Sequence, residues 1–265
     1  MIRKLACFAF FASFFIVLSN SSNAQDFRAY QKKWLVQGAD TLPYRLLLPE
    51  QYDANKTYPV IFFLHGSGER GRDNEKQLVH GGKLFLIDSI RKKYPAIIIF
   101  PQCSVDDYWS NVLRLHDDEG NRKFSFLTAG EPTQAMKLLQ LLVAHVLDEY
   151  PVNKKQVYAG GLSMGGMGTF EIVRCMNGVF TAAISICGGA NTQTAKQINK
   201  TAWWIFHGGK DDVVVPEYSS NMANALKRAK ANIKLTIYPN ANHNSWDSSF
   251  AEPLLLPWLF SISKK

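Results

Sequence analysis

The segment that most constrains this chain is Gly161-Leu162-Ser163-Met164-Gly165. An apolar run at 157–159 leads into it, and Gly166-Met167-Gly168 with a helical stretch follows. A strand turning sharply into a helix crowds the residue at the corner, and glycines two residues to either side relieve the crowding. The new helix also aims its dipole and its free N–H groups at that corner. Such a corner needs a buried sheet for its strand and a covering layer for its helix. The chain offers both. Apolar runs at 44–48, 60–64, 97–100, 157–159, 182–186, 203–206 and 234–238 read as strands buried on both faces. Residues 133–149 place Met136, Leu139, Leu142, Val143 and Val146 on one helical face, between Pro132 and Pro151. Residues 217–229 and 253–260 are further helices. The pattern predicts an α/β fold, a mostly parallel central sheet with helices on both faces.

The two other distinctive stretches carry different signals. Residues 105–131 are polar and contain Asp117-Asp118-Glu119-Gly120-Asn121. A connection of that length in a compact domain is usually functional, so it is expected to pass over the top of the sheet and take part in substrate selection. At the N-terminus, Arg3 and Lys4 precede an apolar run from Leu5 to Leu18, and Ser22-Asn23-Ala24 follows. That is the form of a secretory signal peptide, and the run is shorter than the roughly 20 residues a membrane span requires. Residues 1–24 are therefore expected to be a leader removed after Ala24. Residues 25–265 remain as one domain, exported to the periplasm or the medium, with no stable membrane insertion.

Composition excludes several classes. With 46% apolar and 20% charged residues, the chain is suited to one sizeable core. Its formal charge of +8 falls to +6 once Arg3 and Lys4 leave. The cations are scattered, with short clusters such as Arg91-Lys92-Lys93, which describes a solvated surface and no nucleic-acid partner. Cys103, Cys175 and Cys187 are too few and too irregularly spaced for a zinc site or a disulfide framework. Cys175 and Cys187 read as small buried apolar residues. No metal or organic cofactor is expected.

Chemistry converges on Ser163. A serine hydroxyl needs a base within hydrogen-bond reach, and the order following a corner of this kind is Ser, Asp/Glu, His. His243, in the polar stretch Pro239-Asn240-Ala241-Asn242-His243-Asn244 after the last apolar run, is the expected base. His65 and His207 end apolar runs and read as structural. The acid belongs after 203–206, where Lys210-Asp211-Asp212 offers two candidates; Asp211 is preferred and Asp212 stays open. An oxyanion would need two backbone donors. Met164 supplies one, and Ser67 in His65-Gly66-Ser67-Gly68-Glu69-Arg70-Gly71 supplies the other, with Glu69 and Arg70 shaping that loop. Trp109 and Trp246 are candidates to stack on a sugar or aromatic acyl group.

Taken together, these residues resemble the α/β-hydrolase superfamily over the whole of 25–265. The nearest resemblance is to exported bacterial esterases and peptidases related to prolyl oligopeptidase, dienelactone hydrolase and polyhydroxybutyrate depolymerase. It is carried by Leu64 to Gly71 (LHGSGERG), Pro101-Gln102-Cys103 with Trp109, Gly161 to Phe170 (GLSMGGMGTF), His207 to Asp212 (HGGKDD) and His243 to Trp246 (HNSW). The resemblance implies a serine carboxylesterase working through an acyl-enzyme, with Ser163, Asp211 and His243 as triad. Its substrates would be short acyl or hydroxycinnamoyl esters, small or linked to plant polysaccharide. Relatives often read Val-Pro-Val after the paired aspartates, whereas here Val213-Val214-Val215 precedes Pro216, which keeps Asp212 open. A peptidase on small peptides is the nearest alternative, and a binding protein that kept the fold without activity is one of another class.

Overall fold

The computed structural model describes residues 26–116, 118–120, 122–128 and 130–264. The expected leader, 1–24, lies outside them. Ten strands and six helices follow in the order β1 (Gln31–Gln37), β2 (Asp40–Leu47), β3 (Tyr58–Leu64), α1 (Asp88–Lys93), β4 (Ile97–Pro101), β5 (Val112–His116), β6 (Arg122–Phe126), α2 (Gln134–Glu149), β7 (Val152–Leu162), α3 (Met164–Cys175), β8 (Ala182–Ile186), β9 (Ala202–Gly208), α4 (Glu217–Arg228), β10 (Ile233–Tyr238), α5 (Trp246–Phe250) and α6 (Leu255–Ser261). Eight strands form one sheet in the order β1-β2-β4-β3-β7-β8-β9-β10. β1 and β2 run antiparallel to their neighbours, while β4, β3, β7, β8, β9 and β10 are mutually parallel.

Alternation along each strand divides the apolar residues between two layers. Val60, Phe62 and Leu64 pack with Ile97, Ile99, Trp203 and Ile205 under α2, α3 and α4. Ile61 and Phe63 point the other way, joining Ile98, Phe100, Trp204 and Phe206 under α6. Burial on both faces is why these strands read as unbroken apolar runs. Thr133 caps α2, its hydroxyl accepting from the Met136 N–H at 3.1 Å.

Three elements depart from the expectation. β10, expected as a strand buried on both faces, is an edge strand whose Leu235 and Ile237 stay exposed. β1 is an edge strand whose Trp34 and Val36 stay exposed, so it lacks a buried run. The 105–131 stretch contains a hairpin, β5 against β6, that stands apart from the main sheet. Its stem is closed by the Leu127 N–H donating to the Asn111 carbonyl at 3.2 Å. Tyr218 of α4 anchors it, with its hydroxyl accepting from the Phe124 N–H at 3.0 Å and its ring 5.3 Å edge-on from Phe126. Asn191 adds a bond to the Phe126 carbonyl at 2.9 Å. No helix among the described residues is long and apolar enough to cross a membrane.

Candidate active site

β7 ends at Leu162 and α3 begins at Met164, leaving Ser163 alone at the corner with φ 53° and ψ −118°. A non-glycine residue in this region is strained, and it persists where its surroundings over-determine it. Here the Ser163 N–H donates to the Ile186 carbonyl at 2.8 Å and its carbonyl accepts from the Met167 N–H at 3.0 Å. Gly161 and Gly165 make the corner possible, because a Cβ on Gly161 would strike the Gly165 carbonyl and one on Gly165 would strike that of Leu64.

His243, in the loop after β10, brings Nε2 to 2.9 Å from Ser163 Oγ. Its Nδ1 lies 2.8 Å from Asp211 Oδ2. Asp211 is the partner and Asp212 is exposed at the surface. The Val213 and Val214 N–H groups both donate to Asp211 Oδ1 at 2.9 Å, so the turn after β9 aims one carboxylate inward and its neighbour outward. Burial pushes the Asp211 carboxyl up, but bonds from His207, His243 and Val214 outweigh it and hold the group well below the usual carboxylate range. Asp211 is therefore an anion throughout the neutral range.

Three buried side chains hold this arrangement. His207, at the end of β9, places Nε2 3.0 Å from Asp211 Oδ2 and 2.7 Å from the Val214 carbonyl. Its Nδ1 is 2.7 Å from Ser219 Oγ, which in turn donates to the Gly188 carbonyl at 3.0 Å. Cys187 donates its thiol to the His243 carbonyl at 3.2 Å. Cys187, Asp211 and His243 bring three potential metal-ligand atoms within 4.8 Å of one another. The thiol suits a cation poorly, since burial raises it to about 12. Cys103 and Cys175 are also free thiols.

His65 fixes the loop after β3. Its Nδ1 is 2.6 Å from the Gly66 carbonyl and its Nε2 accepts from the Cys103 N–H at 3.0 Å, a pairing that only the neutral ring can make. Burial accordingly pushes this imidazole from 6.5 down to about 4. The unfolded chain thus binds more protons between those values, so the contribution of His65 is complete above pH 6.5 and is lost as pH falls toward 4. The melting temperature is expected to fall across this window more steeply in the wild type than in His65→Gln; equal slopes would count against it. Arg70 braces the same loop, its Nε donating to the Ser67 carbonyl at 3.0 Å. Neither the Ser67 N–H nor the Met164 N–H donates to a protein acceptor among the described residues. Ser67 lines the same cleft as Ser163, and Met164 follows Ser163 at the start of α3.

The two tryptophans have other places than expected. Trp109 is fully buried, 5.4 Å edge-on from the His65 ring, so it belongs to the core and cannot stack on a substrate. Trp246 is half-buried and sits edge-on to the His243 ring at 5.5 Å and against His80 at 5.0 Å. It backs the imidazole and does not line the cleft. That cleft, of about 640 Å³, opens over Ser163 and His243 and is walled by Ser67, Tyr108, Val213, Val214 and the hairpin.

A serine at a strand-to-helix corner, paired through histidine to an aspartate on this sheet, defines an α/β-hydrolase of the serine type. Residues 108–252, more than half of the chain, match the dienelactone hydrolase family, and the chain belongs to that family. Among solved structures it is similar to a thermostable esterase, with 27% identity and a TM-score of 0.78 over 89% of this chain and 64% of that one. The chain thus spans less than two thirds of that esterase. A feruloyl esterase module from Clostridium thermocellum, complexed with sinapinate, shares the fold at 16% identity, with a TM-score of 0.63 and coverage of 89% of each chain. An acylaminoacyl peptidase from Pyrococcus horikoshii shares it at 15% identity and a TM-score of 0.58, over 89% of this chain and 42% of that one. No protein of curated function matches the sequence.

Proposed function

We propose that this chain is an exported serine carboxylic ester hydrolase, with Ser163, His243 and Asp211 as its triad and Ser67 and Met164 as oxyanion donors. The observation that carries the reading is the unbroken relay from Asp211 Oδ2 through His243 to Ser163 Oγ, at 2.8 and 2.9 Å, opening onto the cleft. Ser163 Oγ attacks the ester carbonyl as His243 Nε2 takes its proton. Asp211 fixes the tautomer and stabilises the imidazolium that forms. The free N–H groups of Met164 and Ser67 receive the developing oxyanion, each such donor being worth about 100- to 1000-fold in turnover. His243 then protonates the departing alcohol, and water, activated by the same imidazole, releases the acid from the acyl-enzyme. Family membership and the likeness to the thermostable esterase support ester substrates. Short acyl or hydroxycinnamoyl esters, free or polysaccharide-linked, are the proposed class.

The test is hydrolysis of p-nitrophenyl esters from acetyl to dodecanoyl by residues 25–265, beside Ser163→Ala and with p-nitroanilides in parallel. Turnover confined to short esters, abolished by the substitution together with fluorophosphonate labelling, is the expected result. Cleavage of the anilides at comparable rates would replace the esterase reading with a peptidase. Failure of the folded wild type to label or turn over would leave a binding protein.

A further inference from the structure

The cleft mouth is charged in one direction. Arg70, Arg114, Arg122 and Lys123 line it together with His116, and no aspartate or glutamate among the described residues does. Three of the four cations come from the β5–β6 hairpin, whose register sets Arg114 opposite Phe124 and His116 opposite Arg122. Opposed residues, and residues two apart, share a face. Arg114 and Arg122 are therefore diagonal neighbours on one face, roughly 7–8 Å apart. Neither they nor Lys123 form an ion pair among the described residues. The Arg114 guanidinium lies over Tyr108 instead, 5.1 Å from the ring centre. Among the described residues Arg70 bonds to the carbonyls of Ser67, Val105 and Asp107 and to no carboxylate. A two-stranded hairpin gains no stability from unpaired like charges on one face, and a ligand that supplies the missing anions would remove the repulsion.

One carboxylate is satisfied by one guanidinium. Four cations around a single opening, none with a carboxylate partner among the described residues, fit a ligand bearing several anionic groups in sequence. We propose that the scissile ester is carried on an acidic polymer, an acylated polysaccharide rich in uronic acid. Its carboxylates lie along Arg114 and Arg122, on one hairpin face, while the acyl group reaches Ser163 between Val213 and Val214. This rests on the ester-hydrolase reading above and names the substrate class of the same site.

The experiment compares acetyl release from O-acetylated polygalacturonate and from O-acetylated dextran of equal acetyl content, with p-nitrophenyl acetate in parallel. At low ionic strength kcat/KM should favour the acidic polymer by about tenfold or more. The advantage should vanish near 1 M salt, where charges are screened beyond about 3 Å. The double variant Arg114→Gln, Arg122→Gln should lose the advantage. Leu113→Gln, on the opposite hairpin face and outside the cleft lining, should keep it. Equal rates on the two polymers, or an advantage that survives the double substitution, would overturn the proposal. So would a preference for mono-p-nitrophenyl succinate over p-nitrophenyl pentanoate without any polymer preference, which would put the anion on the acyl group. Absence of turnover on p-nitrophenyl acetate would defeat the ester-hydrolase reading itself, whereas turnover without polymer preference defeats this inference alone.

Discussion

Replacing Asp211 with asparagine is expected to lower kcat by about four orders of magnitude with little change in KM. The carboxylate accepts from His243 Nδ1 at 2.8 Å, which leaves Nε2 bare and facing Ser163 Oγ. An amide of the same shape can present its NH2 to Nδ1, favouring the tautomer with its proton on Nε2, where it cannot take the serine proton. The charge that would stabilise the imidazolium is lost as well. His207 adds to the effect, since its Nε2 faces the same Oδ2 at 3.0 Å. Asp212→Asn, at an exposed position, should stay close to wild type. The measurement is steady-state hydrolysis of p-nitrophenyl acetate by both variants. If the Asp211 variant kept a tenth of the wild-type kcat, the relay would not be the source of catalysis.

Gly165→Ala should cost the fold more than any conservative change at the surface. Its Cβ would fall on the Leu64 and His65 carbonyls, which are backbone atoms and cannot rotate away. Either α3 lifts from the end of β3 or the corner at Ser163 opens. A loss of about 4 kcal/mol is the scale of a steric failure in a close-packed interior, which in a chain of this length lowers the melting temperature by roughly 10 °C. Any protein that still folds should lose about a further 100-fold in rate, because the nucleophile is displaced. Gly68→Ala is the comparison, since a Cβ there meets nothing within 4 Å. Thermal melts followed by circular dichroism, with activity on the same samples, decide the matter. A Gly165 variant with wild-type melting and rate would show that the approach of α3 to β3 is not needed.

Much of the sheet was legible because burial on both faces leaves an uninterrupted apolar signature in β3, β4, β8 and β9. The Gly-x-Ser-x-Gly corner was legible because crowded backbone admits few residues there. The choice between Asp211 and Asp212 was not, since adjacent residues differ only in the direction the turn gives them. The hairpin was hidden in a polar stretch, its strands largely exposed and anchored by Tyr218 from a distant helix. β1 left only the glycine of its two-residue turn, Gly38 at φ 60°, as a signal. His207 bears out its reading as a structural residue, whereas Trp109 does not line the site. The first ends a buried strand and also touches the carboxylate, and the second has a ring suited to stacking but is wholly enclosed. Sequence supplies the residue type in both cases, and only packing supplies its neighbours.

The joined stem of the β5–β6 hairpin gives the molecule a detachable part. Asn111 and Leu127 are already hydrogen-bonded to each other, so the stretch between them can lengthen, shorten or be exchanged without moving either flanking element. The reacting groups, by contrast, sit on β7, α3 and the loops after β9 and β10. Descent within such a lineage can therefore rewrite which esters are admitted while inheriting the chemistry intact, and grafted hairpins offer the same freedom at the bench.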